Sequence, residues 1–94
     1  MRIAEVSMSE VVQMALGLAQ RGFRGRITGI APAAEASGVP PDELERRLLE
    51  LGFTEGAEVE ILHEGLFGRD PIAVRINDAT VAIRRREAMA ILVS

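Results

Sequence analysis

The chain has 94 residues, of which 48% are hydrophobic and 27% charged, and this composition predicts one folded domain with a modest core. It contains no cysteine, which excludes disulfides, thiolate metal sites and cysteine nucleophiles. The net charge of -3 argues against non-specific binding to nucleic acid or to an anionic membrane. No apolar segment is long enough to span a membrane. The first residues include the acidic Glu5 and no long apolar stretch, which does not fit a secretory signal. We therefore expect a cytoplasmic protein without direct membrane insertion.

The first part of the chain predicts a helix over residues 9–20. Ser7 and Glu10 have the spacing of a helix capping box, and Gly22 supplies a stop. Apolar side chains then recur three and four residues apart, at Val11, Met14, Ala15 and Leu18. We expect residues 1–21 to form an extension that packs on a single domain comprising residues 1–94.

Residues 24–31 predict a short strand bent by glycine. Ile27 and Ile30 are apolar, and Gly25 and Gly29 are typical of bulges or of close backbone approach. The small residues that follow, 31–39, predict a loop.

The clearest predicted element is a helix over about residues 41–51. Pro41 suits its first turn, and Leu44 and Leu48 lie on one face. Gly52 fits the left-handed position after the helix, which would let Phe53 fold back on the last turn.

From Gly56 onward the hydrophobic pattern alternates with a period of two, which predicts strands. The predicted segments are a strand through Val59 and Ile61, a loop over 64–70, strands over 72–76 and 80–84 joined by a hairpin, one helical turn within 85–90, and a strand over 91–93. The fold class is therefore mainly β with helices. About five short strands favour closure into a small barrel, because closure removes exposed edges.

Three groups of residues carry a family resemblance, namely residues 47–53 with Gly56 and Val59, residues 68–72 with Arg75, and residues 82–85 with Ala88. Together they resemble the FeoA family, the small cytosolic proteins of bacterial ferrous iron uptake. The resemblance implies an SH3-like barrel with an inserted helix. It also implies an accessory role toward FeoB, a membrane ferrous iron transporter with a cytosolic GTPase domain. A weaker likeness to the C-terminal domain of iron-dependent repressors suggests the alternative of a metal-responsive regulatory module acting with a transcription factor.

The candidate partner-binding residues surround the predicted loop. We expect an apolar anchor, a shaped loop and a polar rim, formed by Leu66 and Phe67, by Asp70 and Pro71, and by Arg84 and Arg85, respectively. Two alternatives stay open. Phe67 could fold back to plug the barrel end, and the run of arginines at 84–86 could be a solvated face that pairs with Glu87, Glu58 or Glu60.

Other classes of function find little support in the residues. His63 is the only histidine, predicted on the same side as Val59 and Ile61, and with Glu60 and Glu64 it makes only a weak metal candidate, so no metal or cofactor is expected. Three phenylalanines are the only aromatic residues, which disfavours nucleic-acid binding by stacking. No catalytic constellation is evident, so we expect a protein that is not an enzyme. Weak self-association is left open.

Overall fold

The computed structural model describes residues 13–32 and 38–94. These residues form six strands and two helices, with a 3₁₀ helix at Leu16–Leu18. The strands are β1 (Met14–Ala15), β2 (Arg24–Ile30), β3 (Glu58–Phe67), β4 (Asp70–Ile76), β5 (Ala79–Ile83) and β6 (Ile91–Val93). The helices are α1 (Pro41–Glu50) and α2 (Arg85–Ala88). The prediction of a mainly β fold with helices is confirmed.

The strands form one antiparallel sheet in the order β1-β6-β2-β3-β4-β5. In the described part of the chain the two outer strands, β1 and β5, do not pair with each other, so the sheet is not closed. The prediction of full closure is therefore wrong in this detail. With only two residues, β1 is too short to complete a ring, and such short edge strands expose few unpaired backbone groups.

The predicted helix over residues 9–20 is wrong where it can be examined, and residues 1–12 lie outside the described residues. Met14 and Ala15 pair with Val93 and Leu92 of β6 instead of forming a helical turn. The predicted apolar face is also wrong, because Leu18 is 65% exposed while Leu16 is fully buried. Pairing with a distant strand thus outweighs the local helical periodicity.

Helix α1 and its ending confirm the prediction from sequence. Leu44 and Leu48 are buried on its inner face. After the helix, Gly52 has a φ of 106°, and its N–H donates to the Leu49 carbonyl at 3.0 Å. The Phe53 N–H donates to the Leu48 carbonyl at 3.0 Å, which completes a Schellman motif. The phenyl ring of Phe53 is fully buried and belongs to the core between helix and sheet.

Strand β3 is longer than the sequence predicted. The segment 64–70, predicted as a loop, continues β3 to Phe67 and starts β4 at Asp70. Gly65 permits this, because a Cβ at that position would collide with the Asp70 carbonyl of the facing strand.

Two register shifts interrupt the β3–β4 ladder, one between Ile61 and His63 and one between Glu64 and Phe67. The first shift changes the face on which the next side chains lie. His63 is consequently exposed, whereas Val59 and Ile61 are buried. The prediction that His63 shares their side is wrong.

The remaining strand predictions are confirmed. Asn77, with a φ of 55°, begins the tight turn between β4 and β5. Strand β2 shifts register between Ile27 and Gly29, so Gly29 marks a bulge. A Cβ on Gly25 would lie 2.6 Å from the Ser94 carbonyl oxygen, so Gly25 permits a close approach of the two backbones. The sheet and α1 enclose one core, and the β3–β4 hairpin extends beyond it.

Candidate functional site

Two large apolar side chains lie in solvent at the end of the β3–β4 hairpin. Leu66 is 94% exposed and Phe67 is 88% exposed. Phe67 therefore does not plug the end of the sheet, which was the alternative left open by the sequence. Burying either side chain against a partner would contribute about 1.5–3 kcal/mol. We call this pair, Leu66 and Phe67, the apolar tip.

A two-residue turn fixes the backbone at the apolar tip. Gly68 and Arg69 both have positive φ, at 69° and 60°, and they lie between the paired residues Phe67 and Asp70. Two successive residues of this conformation match the right-handed twist of the flanking strands. Asp70 adds a second restraint, since its Oδ1 accepts the Arg85 N–H at 2.9 Å. The tip is thus tied to the start of α2.

Arg85 is committed to contacts within the chain. Its guanidinium donates to the carbonyls of Arg69 at 2.8 Å, Gly17 at 3.0 Å and Ala19 at 2.6 Å, and to Glu64 Oε2 at 2.7 Å. The side chains of Arg85 and Glu64 are only 18% and 20% exposed. Arg85 therefore joins the N-terminal segment, the hairpin and α2.

The other residues of the predicted partner-binding set lie near Arg85 and its contacts. Arg84 follows β5 and is exposed, and Pro71 is exposed on β4. Because Ile72 pairs with Ile83, Pro71 and Arg84 adjoin that pair at the tip's end of the sheet. The structure brings all six predicted residues to one corner, with Arg85 facing inward.

Arg85's inward role was missed by reasoning from the sequence. Its position at the start of a four-residue helix resembles that of its exposed neighbours Arg84 and Arg86. Three of its acceptors are backbone carbonyls in other segments, and no local pattern signals them.

The weak metal candidates do not assemble into a ligand group. Glu60 lies 3.7 Å from the Arg24 guanidinium, and Glu64 is held by Arg85 and by the Arg21 N–H at 3.1 Å. His63 is exposed. Within residues 13–32 and 38–94, no three histidine, cysteine or acidic side chains are grouped so that they could hold a metal ion.

The glutamates of β3 are paired differently from the sequence alternative. Glu58 and Glu60 pair with Arg26 and Arg24 of the adjacent β2, at 3.1 and 3.7 Å, and not with the arginines at 84–86. They line a broad open groove, with a volume of about 1020 Å³, beside the C-terminal Ser94. Pairs this exposed contribute little to stability. The groove is lined by three arginines and three acidic side chains, so the charges of its side chains nearly cancel.

The helices found in the described ranges lack the length and apolar character needed to cross a membrane.

Comparison with protein families gives a match over residues 14–94 to the family described as FeoA domain. No curated protein matches the chain significantly. This match covers every described strand and both helices, as well as the corner that contains the apolar tip.

Solved structures of similar fold include two FeoA proteins. The FeoA protein from Chlorobium tepidum is 32% identical, with a TM-score of 0.69 over 85% of this chain and 68% of that one. The FeoA of Stenotrophomonas maltophilia, complexed with zinc, is 28% identical, with a TM-score of 0.70 over 86% of this chain and 89% of that one. It is described as a prokaryotic SH3 domain protein and a suggested activating factor of ferrous iron transport.

A manganese-dependent transcriptional repressor also matches, at 25% identity and a TM-score of 0.67. The match covers 86% of this chain but only 40% of the repressor. This likeness is one of fold.

Proposed function

The chain belongs to the FeoA family, and we propose that it acts in the cytoplasm as an accessory protein that binds and modulates a FeoB-type ferrous iron transporter. The FeoA family is associated with ferrous iron transport, and the finer role is inferred from the corner described above. On this proposal the protein binds a partner and is not itself an enzyme.

The apolar tip carries the proposal. The side chains of Leu66 and Phe67 are almost fully exposed. The turn beside them is fixed by two residues of positive φ and by the hydrogen bond between Asp70 and the Arg85 N–H. Because the backbone of the tip is restrained, binding has to order only the two side chains, and less of the free energy of their burial is lost to conformational entropy. Asp70 and Pro71 shape the turn, Arg84 borders it, and Arg85 holds it in place.

Modulation requires that the protein bind one state of its partner more tightly than another. A ligand with equal affinity for both conformations shifts neither population. We therefore expect the apolar tip to fit a surface that one nucleotide state of the GTPase domain exposes better than the other.

Binding to the isolated cytosolic GTPase domain of the FeoB-type partner tests this proposal. Leu66→Asp and Phe67→Asp should each weaken binding by at least about tenfold, since each buries a charge where an apolar contact existed. Calorimetric titration with the domain loaded with GDP or a GTP analogue measures both the loss and the preference between states.

Thr80→Asp is the matched control, because it adds the same charge at another exposed strand position. Thr80 pairs with Arg75, five residues along β4 from the Asp70 end of the hairpin, which is roughly 17 Å of strand. This control should bind like the wild type. Equal binding by the wild type and both tip variants would remove the apolar tip from the interface.

The regulatory alternative rests on the fold likeness to the manganese-dependent repressor. Direct metal sensing would require a ligand group, and His63 is its sole imidazole candidate. Anaerobic titration with Fe²⁺ or Mn²⁺ decides this. Micromolar affinity that disappears in His63→Ala would favour the alternative over transporter binding.

A further inference from the structure

The corner around the apolar tip has the opposite sign of charge from the chain as a whole. Residues 64–70 and 84–87 carry four arginines and three carboxylates, whereas the whole chain has a net charge of -3. Three of these arginines have exposed side chains, namely Arg69, Arg84 and Arg86. None of the ion pairs found among residues 13–32 and 38–94 includes any of the three.

The carboxylates of this corner are already engaged. Glu64 pairs with Arg85 at 2.7 Å, and Glu87 pairs with Arg47 of α1 at 3.1 Å. Asp70 accepts the backbone N–H of Arg85. The charges of Glu64 and Glu87 are therefore balanced by Arg85 and by Arg47 of α1, while Asp70 keeps its negative charge. The three exposed arginines outnumber this one carboxylate, so the corner presents a net positive border.

The positive border and the apolar tip share one end of the sheet. Arg69 is in the turn itself, two residues after Phe67. The pairing of Ile72 with Ile83 brings Arg84 to this end, and Arg86 follows in α2. An apolar centre with charges at its edge is the usual anatomy of a protein interface, in which edge charges steer the encounter.

We propose that the partner surface receiving the apolar tip is an apolar pocket bordered by carboxylates. This inference rests on the proposed function and specifies the chemistry of the same contact. Planar guanidinium groups form bidentate hydrogen bonds with carboxylates, and arginine is enriched in protein interfaces. An anionic bilayer fits less well, because two apolar side chains give a shallow anchor and the chain's net charge opposes approach.

The test is the salt dependence of binding to the FeoB-type cytosolic GTPase domain. The variants are Arg69→Asn, which keeps a residue tolerant of positive φ, and the double variant Arg84→Gln with Arg86→Gln. Each should weaken binding roughly threefold to tenfold at about 50 mM salt, chiefly by slowing association. At about 500 mM salt the difference from the wild type should largely disappear.

Arg75→Gln is the matched control, since Arg75 is exposed on β4, five residues from the Asp70 end of the hairpin. It should bind like the wild type at both salt concentrations. If Leu66→Asp loses binding while the arginine variants and salt have no effect, the carboxylate border is wrong and the proposed function survives. A wild type that does not bind the domain at all contradicts the proposed function itself.

Sedimentation with lipid vesicles tests whether the corner binds an anionic membrane instead. The wild type should not sediment with vesicles containing phosphatidylglycerol more than with phosphatidylcholine alone. Arginine-dependent binding to the anionic vesicles, without binding to the GTPase domain, would assign the corner to lipid and overturn the proposal.

Discussion

Arg85 connects three segments that are far apart in the sequence. It contacts Gly17 and Ala19 before β2, Glu64 in β3 and Arg69 in the turn. Removing it would leave the three carbonyls without this donor and the half-buried Glu64 without its cation, and such a loss costs more than the net contribution of the bonds themselves.

We predict that Arg85→Gln lowers the free energy of unfolding by about 2–4 kcal/mol, because a half-buried carboxylate loses its cation. Urea denaturation followed by circular dichroism measures this change. Arg84→Gln, an exposed neighbour, should stay within about 0.5 kcal/mol of the wild type. Equal stability of the two variants would mean that the contacts of Arg85 are incidental.

Elements set by local sequence were predictable, and elements set by distant pairing were not. Helix α1 ends because Gly52 adopts a positive φ and the Phe53 N–H bonds back to Leu48. Both residues lie within six positions of Leu48, so the signal is local. Residues 13–20 show the opposite case. Their apolar residues recur with a helical period, yet Met14 and Ala15 pair with β6 as an edge strand. No nearby residue in the sequence indicates this pairing.

The β3–β4 hairpin shows the same limit at the candidate site. The sequence predicts a loop at Leu66 and Phe67 and leaves open whether Phe67 folds back. In the structure both side chains are exposed, and their backbone belongs to a strand. Gly65 admits the Asp70 carbonyl of the facing strand, and this role depends on a register that the sequence does not reveal.

The hairpin should therefore be sensitive to a single methyl group. We predict that Gly65→Ala lowers the free energy of unfolding by about 1–3 kcal/mol, because the new Cβ must force β3 and β4 apart. Gly29→Ala is the control, since a Cβ there meets no atom within 4 Å. Urea denaturation compares the two. A Gly65→Ala variant as stable as Gly29→Ala would contradict the close approach.

At the scale of the whole molecule, the open sheet and α1 bury the core and leave a braced hairpin end outside it. The core holds the large side chains, including Phe53, Leu16 and Ile61. The apolar tip contributes nothing to that core, so its residues can be changed with little effect on folding. This separation allows binding to be tested without unfolding the protein.

Ferrous iron uptake by cells tests the central claim, that the apolar tip is how this FeoA protein acts on its transporter. Cells lacking the gene are complemented with the wild type, with the double variant Leu66→Asp and Phe67→Asp, or with Thr80→Asp, at matched protein levels. We predict that the double variant takes up radiolabelled ferrous iron no faster than the deletion strain, while Thr80→Asp restores the wild-type rate. Full uptake with the double variant would contradict this account.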